Sequence, residues 1–350
     1  MSLLQPGVDV PAGATYLPAS VENVRWGRLS CAADVPVLTV DPGTEVVFDT
    51  ISHEGILEDQ GRDPRAFFEP YGVDVLDDAV ALAASRLPRA FGVDGPHVVT
   101  GPVAVRGARV GDLLAMTVVE TRPRVPYGVV SNRHGRGALP GEYPTKGDVL
   151  SVFARVEDGH GLITYGPEDD RTVRFPLSPF LGIMGVAVAG DERPHSVPPG
   201  RHGGNLDINL LTAGSTLYLP VQVDGALAYV GDPHFAQGDG EVALTAMEAS
   251  LRATIRFDVV AREDAVREFG DVVGPLARTR EYLVPTGLDE DLDVAVQNCV
   301  RAAIGLLQAR HGMDPAHAYA YLSAATDFDI SQVVDLVKGV HARIRIEDFA

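Results

Sequence analysis

The 350-residue chain predicts a mainly β protein, an antiparallel sandwich or barrel-like body with a smaller C-terminal α/β region. Three observations carry that expectation. Glycine (37) and proline (25) are spread along the whole chain and cut it into short runs. Those runs repeatedly start with Gly and a small polar residue followed by β-type apolar residues, as at Gly43–Phe48, Gly111–Leu114, Gly147–Leu150 and Gly214–Leu217. Turns feeding short strands at this density point to antiparallel sheets. Amphipathic helical spacing is clear near the C-terminus, past residue 290.

Taken in order, residues 36–49 read as a hairpin about Asp41-Pro42-Gly43. Asp49 to Leu76 is a long polar loop holding His53 and Glu54, and loops of that length in compact domains serve as lids or binding loops. Leu76–Phe91 reads as a short helix, with Asp77 and Asp78 where the helix dipole favours them. Strands are expected at 98–105 and 113–120, a loop over Arg122–Pro144, and strands at 149–156 and 161–165. Phe175–Val188 suggests a buried turn, and Pro194–Gly203 a second Pro/Gly-rich loop. Leu251–Val260 alternates as a strand. Leu292, Ala295, Val296, Cys299, Val300, Ala303, Leu306 and Leu307 share one helical face, with Gly312 as the stop. Asp314-Pro315 opens a second helix to about Ala325, and Val340, Ala342, Ile344 and Ile346 alternate as a closing strand. The expected organisation is three regions, 1–125, 126–260 and 261–350, packed as one unit with the site in the central one.

Bulk charge narrows the partners. Lys+Arg number 29 against 48 Asp+Glu, a net charge of −19. Nucleic acid and anionic membranes reward basic patches, so neither is expected, whereas a small neutral or cationic substrate fits. Two distant cysteines, Cys31 and Cys299, make no disulfide framework and suit a reducing cytoplasm. The N-terminus lacks a signal-peptide pattern, and no run approaches the roughly 20 apolar residues of a membrane helix. A soluble, cytoplasmic protein is expected.

The chemistry concentrates between Gly203 and Glu241. Two polar clusters, Gly204–Asp207 and Asp232–Glu241, flank apolar runs at Ser215–Val223 and Ala226–Val230, joined by Asp224-Gly225. Read as an antiparallel hairpin, this brings Asp207 to His234, Asp239 and Glu241. Several carboxylates at close range repel one another, so a bound cation or acid/base work would account for them. His234 with Asp207 and Asp239 is the expected ligand set for a divalent ion, with zinc favoured and calcium or magnesium as alternatives. Glu241, Asp239 and Asp207 are the candidate catalytic groups. Asn205, Gln237 and His53 are the candidate substrate-binding groups, with His97 a further histidine in reach. The plainer alternative is a polar turn in which these residues cap local backbone.

GGNLDI (203–208), AGSTLYLPV (213–221), GD-H--QGDGE (231–241) and DFDISQVVD--KGVHARI (327–344) resemble the acetamidase/formamidase family. That resemblance implies an amidohydrolase converting formamide or acetamide to the carboxylate and ammonia, assembled as a homodimer or larger homo-oligomer. A non-catalytic β-sandwich that binds a small ligand or cation, or a relative acting on a different C–N substrate, are the competing expectations. No G-x-S-x-G elbow is present, nor a Gly/Ser-rich stretch with paired serines. Cys299 falls on the inner face of a predicted helix, where a thiol is inert packing. Attack by an activated water, with a metal or Glu241 taking the proton, is the remaining design.

Overall fold

A computed structural model describes residues 3–349 apart from 167 and 169. Two large sheets pack across one core. The first has nine strands, in the order Thr15–Leu17, Thr44–Asp49, Leu251–Val260, Leu113–Pro123, Thr216–Pro220, Leu276–Arg278, Tyr282–Asp289, Lys338–Arg345 and Asp327–Gln332. The second runs Arg171–Pro176, His160–Tyr165, Val149–Glu157, Tyr127–Arg133, Met247–Glu248, Ala228–Ala236, Phe180–Gly185 and Gly203–Asn205. Val98–Val105 joins it beside Ala228–Ala236 and carries Val24–Trp26 and Leu38–Val40 in turn. Pairing is antiparallel except between Thr15–Leu17 and Thr44–Asp49, and between Leu38–Val40 and Val98–Val105. Phe48, Leu217 and Ile255 of the first sheet meet Val103, Leu181 and Val230 of the second in a single buried cluster. Burial of such apolar surface from both sheets is the main stabilising term. The mainly β expectation holds.

The C-terminal helices form as their caps dictate. Asp291 accepts from the N–H groups of Asp293 and Val294 to start Leu292–His311, and Gly312 ends it in the left-handed conformation. Asp314 caps Pro315–Ala325 through Ala316 and His317. The longer helix lies close on Tyr282–Asp289 because Gly287 has no side chain. A Cβ there would come 2.1 Å from the Ala295 carbonyl oxygen and 2.2 Å from the Cys299 nitrogen. Strands from 276 to 345 extend the nine-stranded sheet, so the C-terminal region continues the body.

Five local expectations are corrected. Residues 36–49 are no hairpin, because Leu38–Val40 enters the second sheet and Thr44–Asp49 the first. Nor do the runs around Asp224-Gly225 pair with each other. Thr216–Pro220 lies between Leu113–Pro123 and Leu276–Arg278, while Ala228–Ala236 crosses to the other sheet. Ala226 and Leu227, both left-handed (φ 61° and 53°), turn the chain again after the Asp-Gly reversal. The expected loop over Arg122–Pro144 contains the strand Tyr127–Arg133, and the expected turn within Phe175–Val188 is the strand Phe180–Gly185, buried at every residue. The helix read as Leu76–Phe91 spans Asp77–Ala84, and Arg262–Phe269 is a helix that periodicity did not show. Both cysteines are free and buried, and no helix among the described residues is long and apolar enough to cross a membrane.

Candidate active site

The strand Phe180–Gly185 organises the site. Ala228–Ala236 pairs with one of its edges and Gly203–Asn205 with the other. Residues two apart in a strand share a face, so Asp232 and His234 project together. Glu248 is the register partner of His234 on the next strand. Asp207 follows Gly203–Asn205, and its N–H donates to the Gly182 carbonyl at 3.2 Å. Gly182 lies directly beneath the cluster. A Cβ at that position would stand 2.4 Å from Asp207 Oδ1, 2.7 Å from His234 Cε1 and 2.8 Å from Asp232 Oδ2. The missing side chain is the space these groups occupy. His53 arrives from the loop after Thr44–Asp49, His97 from the residue before Val98–Val105, Glu241 from the loop after Ala228–Ala236 and Asp335 from the loop after Asp327–Gln332.

The distances are short. His234 Nε2 is 3.1 Å from Glu248 Oε1 and 3.2 Å from Asp232 Oδ2, and its Nδ1 is 3.8 Å from Asp207 Oδ1. His53 Nδ1 is 3.5 Å from Asp232 Oδ1 and 3.8 Å from Glu248 Oε2, while His97 Nε2 is 3.7 Å from Asp232 Oδ2. All of these side chains are buried. Asp207, Asp232 and Glu241 also share a left-handed backbone, with φ of 49°, 49° and 47°. Such strain in non-glycine residues gathers where function fixes geometry.

Buried charge sets the protonation. Burial first, then the charge of Asp335, pushes the Asp207 carboxyl well above the usual carboxylate range. Glu241 rises by burial and by Asp207, and Asp335 by burial and by Glu241. Burial also raises Glu248, with His234 partly offsetting it. Asp232 goes the other way, because His97 and His234 outweigh its burial. His53 reaches about 10 because Glu248, Asp232 and Glu54 overcome its burial, whereas burial takes His97 down to about 4.

Both Asp207 carboxylate oxygens, Asp232 Oδ1, Glu248 Oε2, His53 Nδ1 and both His234 nitrogens are buried without a hydrogen-bond partner. Buried polar atoms are ordinarily paired, since leaving one unmade costs about 1–3 kcal/mol. A set of imidazole nitrogens and carboxylate oxygens left open around one point fits a divalent ion of the zinc type. Three triads here each bring one donor atom per residue within 4.8 Å of the others: His53/His97/Asp232, Asp232/His234/Glu248 and Asp207/His234/Glu241. A cavity of about 430 Å³ opens onto His53, His97, Asn205, Asp232, Glu241 and Glu248.

The structure sorts the sequence candidates. His234, Asp207 and Glu241 come together, and His53 and Asn205 line the cavity. Asp239 does not join them: it is exposed, accepts from Asn209 Nδ2 at 3.0 Å and faces Asp329 and His341. The chain leaves the site after Ala236 and returns only at Gly240-Glu241, which carries Asp239 outward. Gln237 donates to the Asp207 carbonyl at 2.8 Å, so it holds the site's backbone. Asp232, Glu248 and Asp335 are the groups that sequence reasoning missed. The Asp-x-His alternation was a usable signal for Asp232, and Asp335 ends the DFDISQVVD run, but nothing around Glu248 marked it.

Fold and site together define a class: a two-sheet β protein whose interior holds an open histidine–carboxylate centre beneath a small cavity. Similar proteins are known. The sequence model of the Acetamidase/Formamidase family matches residues 186–346. A formamidase of Methylophilus methylotrophus is 27% identical over 306 residues, 69% of this chain and 74% of that one. An acetamidase of Mycolicibacterium smegmatis is 29% identical over 199 residues, and that match spans 42% of this chain and only 49% of the relative's length. The crystal structure of an acetamidase from Bacillus halodurans superposes with a TM-score of 0.75 at 26% identity, covering 95% of this chain and 98% of that one. Over residues 186–346 the chain is similar to the acetamidase/formamidase family.

Proposed function

We propose that the chain hydrolyses short aliphatic amides, formamide or acetamide, to the carboxylate and ammonia. The observation that carries this is the open, buried histidine–carboxylate centre at the floor of the cavity, in a chain whose relatives are named for these two amides. His234 with Asp207, Asp232 and Glu248 would hold a divalent ion; in place of the expected Asp239, Asp232 and Glu248 are the carboxylates within reach. Such an ion supplies Lewis acidity to an amide carbonyl and lowers the pKa of water.

The chain's own groups do the rest. Asn205 lines the cavity with its Oδ1 unpartnered, so it can accept from the amide NH2 and orient the substrate. Water attacks the carbonyl carbon, and Glu241, which lines the same cavity, takes its proton. Glu241 then returns that proton to the nitrogen as the C–N bond breaks, releasing ammonia and leaving the carboxylate. Cys31 and Cys299 line no part of the cavity, and burial pushes the Cys299 thiol far up, so neither serves as a nucleophile. Two free cysteines fit a cytoplasmic setting, and closed homo-oligomers are the usual soluble assembly, testable by light scattering. Ammonia release from formamide, acetamide and propionamide, with Zn2+, Mn2+ or Mg2+ supplied, tests the activity. Release from at least one is expected, and none from any would overturn the substrate assignment.

A further inference from the structure

We infer that the cavity selects primary amides larger than acetamide, ones whose acyl group carries an apolar, ring-sized body, and that Phe91 and Val93 hold that body. This deepens the amidase reading above and rests on it.

Size is the first argument. The cavity measures about 430 Å³, within the range of sites that enclose a whole organic ligand. At the roughly 30 Å³ that one water takes up in the liquid, acetamide's four non-hydrogen atoms fill about 120 Å³. Most of the space would be left to water, although Leu57, Phe91, Val93, Pro96, Val149 and Val197 give it apolar walls. The charged groups beside them are mostly engaged with one another. Arg133 donates to Asp59 at 2.7 Å, Arg89 pairs with Glu58, and Asp94 accepts from Arg28 at 2.6 Å. Arg136 and Asp148, of opposite sign, are exposed at the rim. Burial, then Arg28, lowers the His195 pKa below its usual value, so that ring is neutral.

The mouth supplies the second argument. Asp94 Oδ2 accepts from the Ala90 N–H at 2.7 Å, and the Val93 and Asp94 N–H groups both donate to the Ala90 carbonyl. Gly95 fixes the base of this closed turn, since a Cβ there would stand 2.1 Å from Ser196 Oγ. The turn nevertheless leaves Phe91 61% and Val93 62% exposed, both of them on the cavity. Two large apolar side chains held out to water at a cavity mouth gain by being covered. Orientation follows from the floor. Asn205 is 1% exposed with Oδ1 open, so the amide NH2 binds at the bottom and the acyl chain runs outward to Phe91. An aromatic acyl group there meets the Phe91 ring in a contact that aromatic pairs favour. Binding energy from such a remote group is available to the transition state, so the selection belongs in kcat/KM.

The test measures kcat and KM for formamide, acetamide and phenylacetamide in wild type, Phe91→Ala and Val93→Ser, with divalent metal supplied. Phenylacetamide should exceed acetamide in kcat/KM by at least about 10-fold, since even one methylene in an apolar pocket is worth that much. Phe91→Ala should lose most of this margin, while its kcat/KM for acetamide stays within about two-fold of wild type. An equal loss on both amides would make Phe91 a structural residue and overturn its role in selection. A margin that survives both variants overturns the assignment of the mouth. Acetamide or formamide as the better substrate overturns the inference but leaves a short-chain amidase standing. No turnover of any of the three overturns the amidase reading, and this inference with it.

Discussion

Two clusters of charge are buried in this protein, and they are built on opposite terms. Beneath the N-terminal segment, Asp49 accepts from Arg252 at 2.6 and 3.0 Å and from Tyr16 at 2.5 Å, with Arg124 at 3.5 Å. Arg124 stands 2.8 Å from Asp78 in an ion contact off the hydrogen-bond line, and donates to the carbonyls of Leu4 and Thr50. Arg252 also reaches the carbonyls of Gln5 and Val8, so the cluster pins the chain's start to the body. Two arginines face two aspartates. In the cavity floor, five carboxylates face histidines, with donor atoms left open. The first cluster is balanced in charge as folded, even though Asp78 Oδ2 and Arg124 Nη2 meet off the hydrogen-bond line. The second leaves its donor atoms open onto a cavity, and that difference separates a structural device from a candidate site.

The largest effect is expected where the balanced cluster is broken. Arg124→Met leaves Asp78 without its cation, half-strips Asp49 and frees two backbone carbonyls. Removing one partner of a buried pair costs about 3–5 kcal/mol, so the denaturant midpoint should fall by that equivalent. Metal content should not change. A loss under about 1 kcal/mol would mean that Arg252 alone balances Asp49 and that the contrast between the clusters is overstated.

The opposite behaviour is expected of Asp207→Asn. Amide hydrolysis should fall by at least about 100-fold, since even residues that only orient metal ligands cost 10–100-fold. Stability in chelator should rise. The folded-state carboxyl is raised by burial and by Asp335, so its ionised form costs stability above that pKa. The cost fades as pH falls through the raised value. The variant should therefore melt higher than wild type at pH 8, with the gap closing toward acid. A lower melting temperature at pH 8 in chelator would show that Asp207 is structural, like Asp49.

How much of this was legible in the sequence follows from where the information is local. Leu251–Val260 forms the strand its alternation predicts, and both C-terminal helices start at their aspartate caps. Cap and period act within a few residues. Which strand pairs with which is not local, and the two apolar runs about Asp224-Gly225 reverse as expected yet join different sheets. Asp207 nevertheless meets His234, because both flank Phe180–Gly185, a strand the sequence reading took for a turn. Asp232 could have been found, since it shares a strand face with His234. Asp335 ends the DFDISQVVD run, but only the tertiary fold brings it to the site, and Glu248 has no sequence signal at all.

The smallest expected effect belongs to Asp239, and it sharpens the comparison from outside. Its place in the QGDGE run made it look like a ligand, but it faces Asp329, and Arg343 donates to Asp329 at 2.6 Å. An exposed group with one side-chain hydrogen bond, from Asn209, contributes little. Surface substitutions of this kind fall within about 0.5 kcal/mol. Asp239→Asn keeps the shape, so metal content should be unchanged and amide hydrolysis should stay within about two-fold, a difference near 0.4 kcal/mol. The useful readout is the pair of variants, Asp239→Asn beside Asp207→Asn, at equal protein and metal concentration. Burial and open donor atoms distinguish the two aspartates, while sequence context does not. If Asp239→Asn lost metal or activity as Asp207→Asn does, the boundary of the site would have to be redrawn to include the Asp329–His341 pocket.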